Sequence, residues 1–153
     1  MYTLIAFNTK QYKNMSIAIN YWAIIVSGIL SVVLGFIWYG PLFGKKWMAL
    51  SGISMPDVKP PMSVMVKPMI ISVVGALFMG YMMAMGISIA ASLGQTGIGC
   101  ALFIAFSNWL GFVIPVNLNI FAWEKRSWTL FAINSGYWLV LLAIIAVVIG
   151  VWG

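Results

Sequence analysis

The side chains able to do chemistry in this chain are few, and most are amides. Asn108, Asn117, Asn119 and Asn134 stand in otherwise apolar runs, where an amide must find a hydrogen-bond partner in protein or water. Asn108 and Asn119 are eleven residues apart, which returns to within about 20° of one helical face. Gly97, Ala101 and Pro115 share that face. Asn117 falls on the opposite side unless Pro115 shifts the phase. Asn117 is seven residues before Glu124 and Asn134 seven after Ser127, so both lie about 10 Å from one short turn. That spacing predicts an Asn117–Asn134 hydrogen bond between antiparallel neighbours. The amides admit two readings. The favoured one makes them structural ties between helices; the other has Asn108, Asn119, Asn134 and Tyr137 line a small polar cavity open to the cytoplasm. Glu124 sits beside Lys125 and Arg126, which predicts a local ion pair, with a protonatable ligand at a cytoplasmic mouth as the alternative.

The remaining chemistry is excluded by count. There is no histidine, and Cys100 is the single cysteine, so a His/Cys metal site or a disulfide within one chain has no residues to build it. Asp57 and Glu124 are the two acidic residues, too few for an acid–base pair, and no catalytic residue, metal site or cofactor is expected. A lipid-modifying enzyme would have to work from Glu124, Tyr137 or a serine alone. Hydrophobic residues make up 63% and charged ones 7% of the 153 residues, against about 45–50% and about 25% in soluble domains. A chain this short cannot hide so much apolar surface in a water-soluble core. A soluble enzyme, a disordered tail and a nucleic-acid-binding module are thereby excluded.

These residues must be positioned by helices that cross a bilayer. Four runs, at about 17–39, 69–93, 97–123 and 128–152, are free of Asp, Glu, Lys and Arg and meet the length of about 20 residues that a spanning helix needs. The expected fold is an all-α membrane protein, four transmembrane helices in an antiparallel bundle spanning 16–153. Residues 1–15 are a polar tail, or residues 1–14 precede a true start at Met15. The first span is too long for a signal peptide and lacks a cleavage site. Lys45, Lys46, Lys59, Lys67, Lys125 and Arg126 fall on one side, against Lys10 and Lys13 on the other. The positive-inside rule then puts both termini outside and makes this a multi-pass protein of the cell (plasma or inner) membrane. The net charge of +6 is topological and attracts anionic headgroups at the cytoplasmic face. Tyr21, Trp22 and Trp152 would mark the outer interface; Trp38, Tyr39, Trp47, Trp123 and Trp128 the inner one.

Helices in lipid associate through small residues. Ala23, Ser27, Ser31 and Gly35 form such a row in the first span, and Ala76, Gly80, Ala84, Ser88 and Ser92 in the second. The third offers Gly97, Ala101, Ala105, Ser107 and Gly111; the fourth offers Ala132, Gly136, Ala146 and Gly150. These rows serve either the internal seam or a homo-oligomer interface. Gly40–Pro41 should stop the first span, Pro68 should sit at the start of the second, and Pro115 should kink the third. Residues 56–62, with three prolines, should form a surface loop.

Two blocks carry a resemblance. GFIWYGPLFGKKWMALSG follows the first span and NWLGFVIPVNLNIFAWEKRSWTLFAINSGYW runs from the third into the fourth. With four spans at this spacing, the chain resembles the domain of unknown function 1761 family of small bacterial membrane proteins. The matching positions in the first block are Trp38, Tyr39, Gly40, Pro41, Leu42, Phe43, Gly44, Lys45 and Trp47. In the second they are Trp109, Asn119, Glu124, Arg126, Trp128, Asn134, Gly136, Tyr137 and Trp138. The resemblance implies an integral membrane protein and no established activity. The expected function is therefore non-enzymatic association with itself, lipid or another membrane protein. The alternative is an oligomeric small-molecule transporter or channel with an Asn-lined cavity, its ligand unknown.

Overall fold

The computed structural model describes residues 19–52 and 62–152, except for the side chains of Met62 and Met65. The polar tail at 1–15 and most of the expected 56–62 loop lie outside the described residues.

Among the described residues, six α-helices and two π-helical turns succeed one another: α1 Tyr21–Ile37, a π turn Trp38–Leu42, α2 Gly44–Ser51, α3 Met62–Ser92, α4 Ile98–Asn108, a π turn Trp109–Val113, α5 Ile114–Glu124 and α6 Trp128–Trp152. They make four segments long and apolar enough to cross a membrane: Tyr21–Leu42, Val66–Ser92, Ile98–Glu124 and Trp128–Trp152. This is the four-span, all-α architecture expected of a multi-pass membrane protein.

Neighbouring spans run antiparallel. Ile24 meets Gly80 while Gly28 meets Leu77, so α1 rises as α3 descends. Gly150 lies against Ala101, at the far end of the pair α4–α6 from the Phe121–Trp128 ring contact. α6 touches α1, α3, α4 and α5, and so forms the hub of the bundle.

The small-residue rows form the internal seam. Ala23, Ser27 and Ser31 are buried in α1, Ala76, Gly80 and Ala84 in α3, and Ala101 and Ala105 in α4. A Cβ at Gly80 would stand 3.4 Å from Ile24 Cγ2, and one at Gly28 would stand 2.9 Å from Leu77 Cδ2. Backbones that approach so closely gain the dispersion contact that lipid cannot supply by hydrophobic force. Ser107, Gly111 and Ala132 are exposed instead, so the rows of the third and fourth spans enter the seam only in part.

Among the described residues, Pro41 and Pro68 differ from their sequence expectation, and Pro115 falls beside a change in helical ring size. Gly40–Pro41 does not stop the first span; Pro41 is absorbed in the π turn, closed by Phe43 N–H donating to the Trp38 carbonyl at 2.9 Å. The wider ring accommodates a residue without an N–H. The helix that carries the second span begins at Met62, so Pro68 lies inside α3. The carbonyl it leaves without a helical donor is that of Val64, ahead of the apolar segment that starts at Val66. The third span meets Pro115 just after its own π turn, at the second position of α5, where the backbone bonding passes from the wider ring back to the α ring. Both π turns start with Trp-x-Gly, WYG and WLG.

The first span starts at Tyr21, later than the expected 17. Asn20 caps it, its Oδ1 accepting from Trp22 N–H at 3.0 Å and Ala23 N–H at 3.3 Å. Its Nδ2 donates to the Trp152 carbonyl at 2.9 Å, so one side chain closes the start of α1 and the end of α6.

Candidate functional site

Three elements meet at the hairpin end of the bundle. Lys125 takes a left-handed conformation at φ 51° and ends α5, while Ser127 Oγ accepts from Leu130 N–H at 3.2 Å and starts α6. The tight reversal sets Glu124 and Arg126 side by side, Arg126 Nε donating to Glu124 Oε2 at 2.9 Å. Arg126 Nη1 reaches across to the Ser51 carbonyl of α2 at 3.3 Å. The short α2 is folded back here by Gly44, where a Cβ would stand 2.5 Å from the Tyr39 carbonyl oxygen.

Between these elements lies an open cavity of about 170 Å³. Its polar lining is Asn117, Asn134, Glu124 and Arg126 with Ser51; its walls are Trp47, Ile120, Phe121, Leu130 and Phe131. Asn117 and Asn134 share the cavity without bonding each other. Asn117 Nδ2 donates to the Val113 carbonyl of its own helix at 3.0 Å, and Asn134 Oδ1 accepts from Tyr39 OH at 3.4 Å. The expected Asn117–Asn134 bond is not made; these two bonds stand in its place.

One turn deeper, Tyr39 and Tyr137 pack at a ring distance of 5.1 Å, and Tyr137 OH donates to the Ser31 carbonyl at 3.4 Å. Beyond them the bundle is closed by Ala23, Ile24, Leu141 and Ile145. Of the alternative cavity lining, Asn108, Asn119, Asn134 and Tyr137, only Asn134 borders this cavity. Asn108 Nδ2 donates to the Ile104 carbonyl at 2.9 Å and lies 3.9 Å from Met83 Sδ, away from the hairpin. Asn119 is exposed while Asn117 is half-buried. The extra residue in the Trp109–Val113 π turn rotates α5 by about 100° relative to α4, which takes Asn119 off the face of Asn108.

The aromatic border residues divide. Trp123 and Trp128 are 83% and 66% exposed, as interface anchors would be, but Trp38 and Tyr39 are half-buried. Trp38 packs on Phe43 at 4.8 Å and Trp47 on Tyr39 at 5.3 Å. The Trp38 indole donates to the Ile133 carbonyl at 3.0 Å and that of Trp109 to the Ser135 carbonyl at 2.8 Å. Two indoles therefore grip α6 on either side of Asn134. Neither the donor role of Trp109 nor the part of Ser51 is signalled by residue type or spacing.

Among the described residues no group of His, Cys, Asp and Glu could hold a metal ion. A family model described as Protein of unknown function (DUF1761) matches residues 22–150. No curated protein and no solved structure matches the chain.

Proposed function

The chain belongs to the DUF1761 family, a protein family of unknown function, and from that premise we propose that it is a non-enzymatic protein of the cell membrane that acts by association, with anionic lipid at its charged end. One observation carries this reading. Every charged side chain among the described residues (Lys45, Lys46, Lys67, Glu124, Lys125 and Arg126) belongs to the end of the bundle that carries α2, the start of α3 and the α5–α6 hairpin. Each cation near a membrane surface attracts anionic headgroups by about 1 kcal/mol. The same asymmetry supports an orientation with this end in the cytoplasm and both termini outside. Reporter fusions at Gln95 and Lys125 should then fall on opposite sides of the membrane, with Lys125 inside.

The small residues of α1 and α3 are consumed within the protomer, so a homo-oligomer would have to form through another surface. Reconstitution tests the lipid reading. Phosphatidylglycerol added to a phosphatidylcholine bilayer should raise the unfolding temperature, and Lys45→Ala/Lys46→Ala should weaken that rise. An unchanged unfolding temperature sinks it.

A transport reading draws on the cavity, which enters the bundle as far as Asn117 and Asn134. Solute flux in proteoliposomes that disappears in Asn134→Leu would establish that reading instead. Asn108, bonded within its own helix and to α3, would leave such flux intact.

A further inference from the structure

We infer that the cavity between α2, α5 and α6 holds the headgroup of a phospholipid bearing both a phosphate and a primary ammonium. The inference rests on the proposed membrane placement of the charged end and adds a specific occupant to it.

Depth comes first. The Glu124–Arg126 pair is 50% and 41% exposed in its side chains, and ionised groups of this kind stay at the hydrated border rather than in hydrocarbon. Trp123 and Trp128 flank it at the same border, where indoles favour the headgroup layer. The cavity mouth thus opens where lipid headgroups are most concentrated.

Charge narrows the class. The surrounding lysines are cationic, but the lining itself carries one cation, Arg126, and one anion, Glu124. Glu124 and Arg126 form one neutral pair, so the lining offers neither a lone anion nor a lone cation a net opposite charge. A zwitterion meets complementary charge at both poles.

Unused hydrogen-bonding capacity points the same way. Arg126 commits Nε and Nη1, leaving Nη2 for an anionic oxygen. Among the described residues Asn134 Nδ2 donates to no partner, its Oδ1 being taken by Tyr39. These donors suit phosphate. Glu124 Oε1 and Asn117 Oδ1 are acceptors, suited to the N–H groups of an ammonium. A quaternary ammonium, with no N–H, would leave both unanswered.

Size agrees. About 170 Å³ is many times the roughly 10–15 Å³ that admits one water, yet below the roughly 300–1,000 Å³ of pockets for drug-sized ligands. A headgroup enters; its acyl chains stay in the bilayer along the apolar wall of Phe121 and Phe131.

The test reconstitutes the full chain in nanodiscs of phosphatidylcholine, doped with phosphatidylethanolamine or phosphatidylglycerol of the same chains, and reads bound lipid by native mass spectrometry. Phosphatidylethanolamine should be retained about tenfold over phosphatidylcholine, the equivalent of about 1.4 kcal/mol. Glu124→Gln, at an exposed position that threatens no fold, should erase that preference, and Asn134→Leu should lower it. Equal retention of the two zwitterionic lipids, or an unchanged preference in Glu124→Gln, overturns the inference. Retention of soluble O-phosphoethanolamine in pure phosphatidylcholine nanodiscs, with no preference between the two zwitterionic lipids, would assign the cavity to a water-borne zwitterion and overturns the lipid occupant. Phosphatidylglycerol retention reads the cationic end separately: its loss in Lys45→Ala/Lys46→Ala bears on the proposed function and not on the cavity.

Discussion

The indole N–H of Trp38 donates to the carbonyl of Ile133 at 3.0 Å, tying the end of the first span to the last span one residue before Asn134. Trp109 makes the matching bond one residue after it, to Ser135 at 2.8 Å. Each tryptophan opens a π turn, and such turns are frequent at functional positions. Trp38→Phe and Trp109→Phe keep a ring and remove the donor. Each should cost about 0.6–1.7 kcal/mol, read as equilibrium unfolding in mixed detergent. Trp38→Ala should cost more, about 3–5 kcal/mol, because the ring also packs on Phe43 and Tyr137. Equal losses for Trp38→Phe and Trp38→Ala would assign the whole effect to the hydrogen bond.

Asn134 provides a second prediction, with its own internal control. Its amide bonds Tyr39 and not Asn117. A double-mutant cycle of Tyr39→Phe with Asn134→Leu should therefore show a coupling near the average of about 0.6 kcal/mol for interhelical bonds. The cycle of Asn117→Leu with Asn134→Leu should be additive within about 0.3–0.5 kcal/mol. The reverse ranking would restore the bond expected from spacing alone.

What is legible in the sequence, and what is not, divides along one physical line. Features that depend on composition or on an uninterrupted period can be read: four apolar spans, the buried row Ala23–Ser27–Ser31, its partner Ala76–Gly80–Ala84, and the Glu124–Arg126 pair. Features downstream of a local change in helical ring size cannot. Pro41 and Pro115 mark where the ring widens, but a proline equally signals a stop, a kink or a first turn. Once the phase slips, the lipid-facing and inward positions exchange, which moves Asn119 out and Asn117 in. Trp38 is misplaced by sequence reading for a different reason. A tryptophan near a span end is usually an interface anchor, and nothing in its neighbours shows that its N–H has a carbonyl to reach.

Asn20 carries two jobs that separate under substitution. Asn20→Asp keeps an oxygen for the N–H groups of Trp22 and Ala23 but loses the donor to the Trp152 carbonyl. Asn20→Ala loses both, and should cost about 1 kcal/mol for the cap alone. Hydrogen exchange should show Asn20→Asp loosening the end of α6 while leaving the first turn of α1 protected. Equal fraying of α1 in both variants would mean that the cap is not made.

Gly80 is suited to a dimer interface by its spacing, yet it faces Ile24 and Ser27 within one chain. Gly80→Leu should therefore destabilise the protomer, by about 1–3 kcal/mol or more as overpacking does, whatever its oligomeric state. Gly75, where an added Cβ would meet nothing within 4 Å, serves as the permissive control on the same helix. A Gly80→Leu protein of unchanged stability would show that α1 and α3 do not meet there.

Gly40 and Gly44 stand four residues apart in WYGPLFGKKW and should respond in opposite ways to a single methyl group. At Gly40 a Cβ meets nothing within 4 Å, whereas at Gly44 it would press on the Tyr39 carbonyl oxygen at 2.5 Å. No side-chain rotation relieves a clash with backbone, so Gly44→Ala must open the turn that folds α2 back. That turn brings Trp47 and Ser51 to the cavity, and Ser51 accepts from Arg126 only while α2 is in place. Gly44→Ala should thus cost about 1–3 kcal/mol or more and raise proteolytic access to α2. Gly40→Ala should be neutral or stabilising by up to about 1 kcal/mol, since glycine is the costlier residue inside a helix. If the two variants unfold alike, the fold-back at Gly44 is wrong, and with it the α2 wall of the cavity.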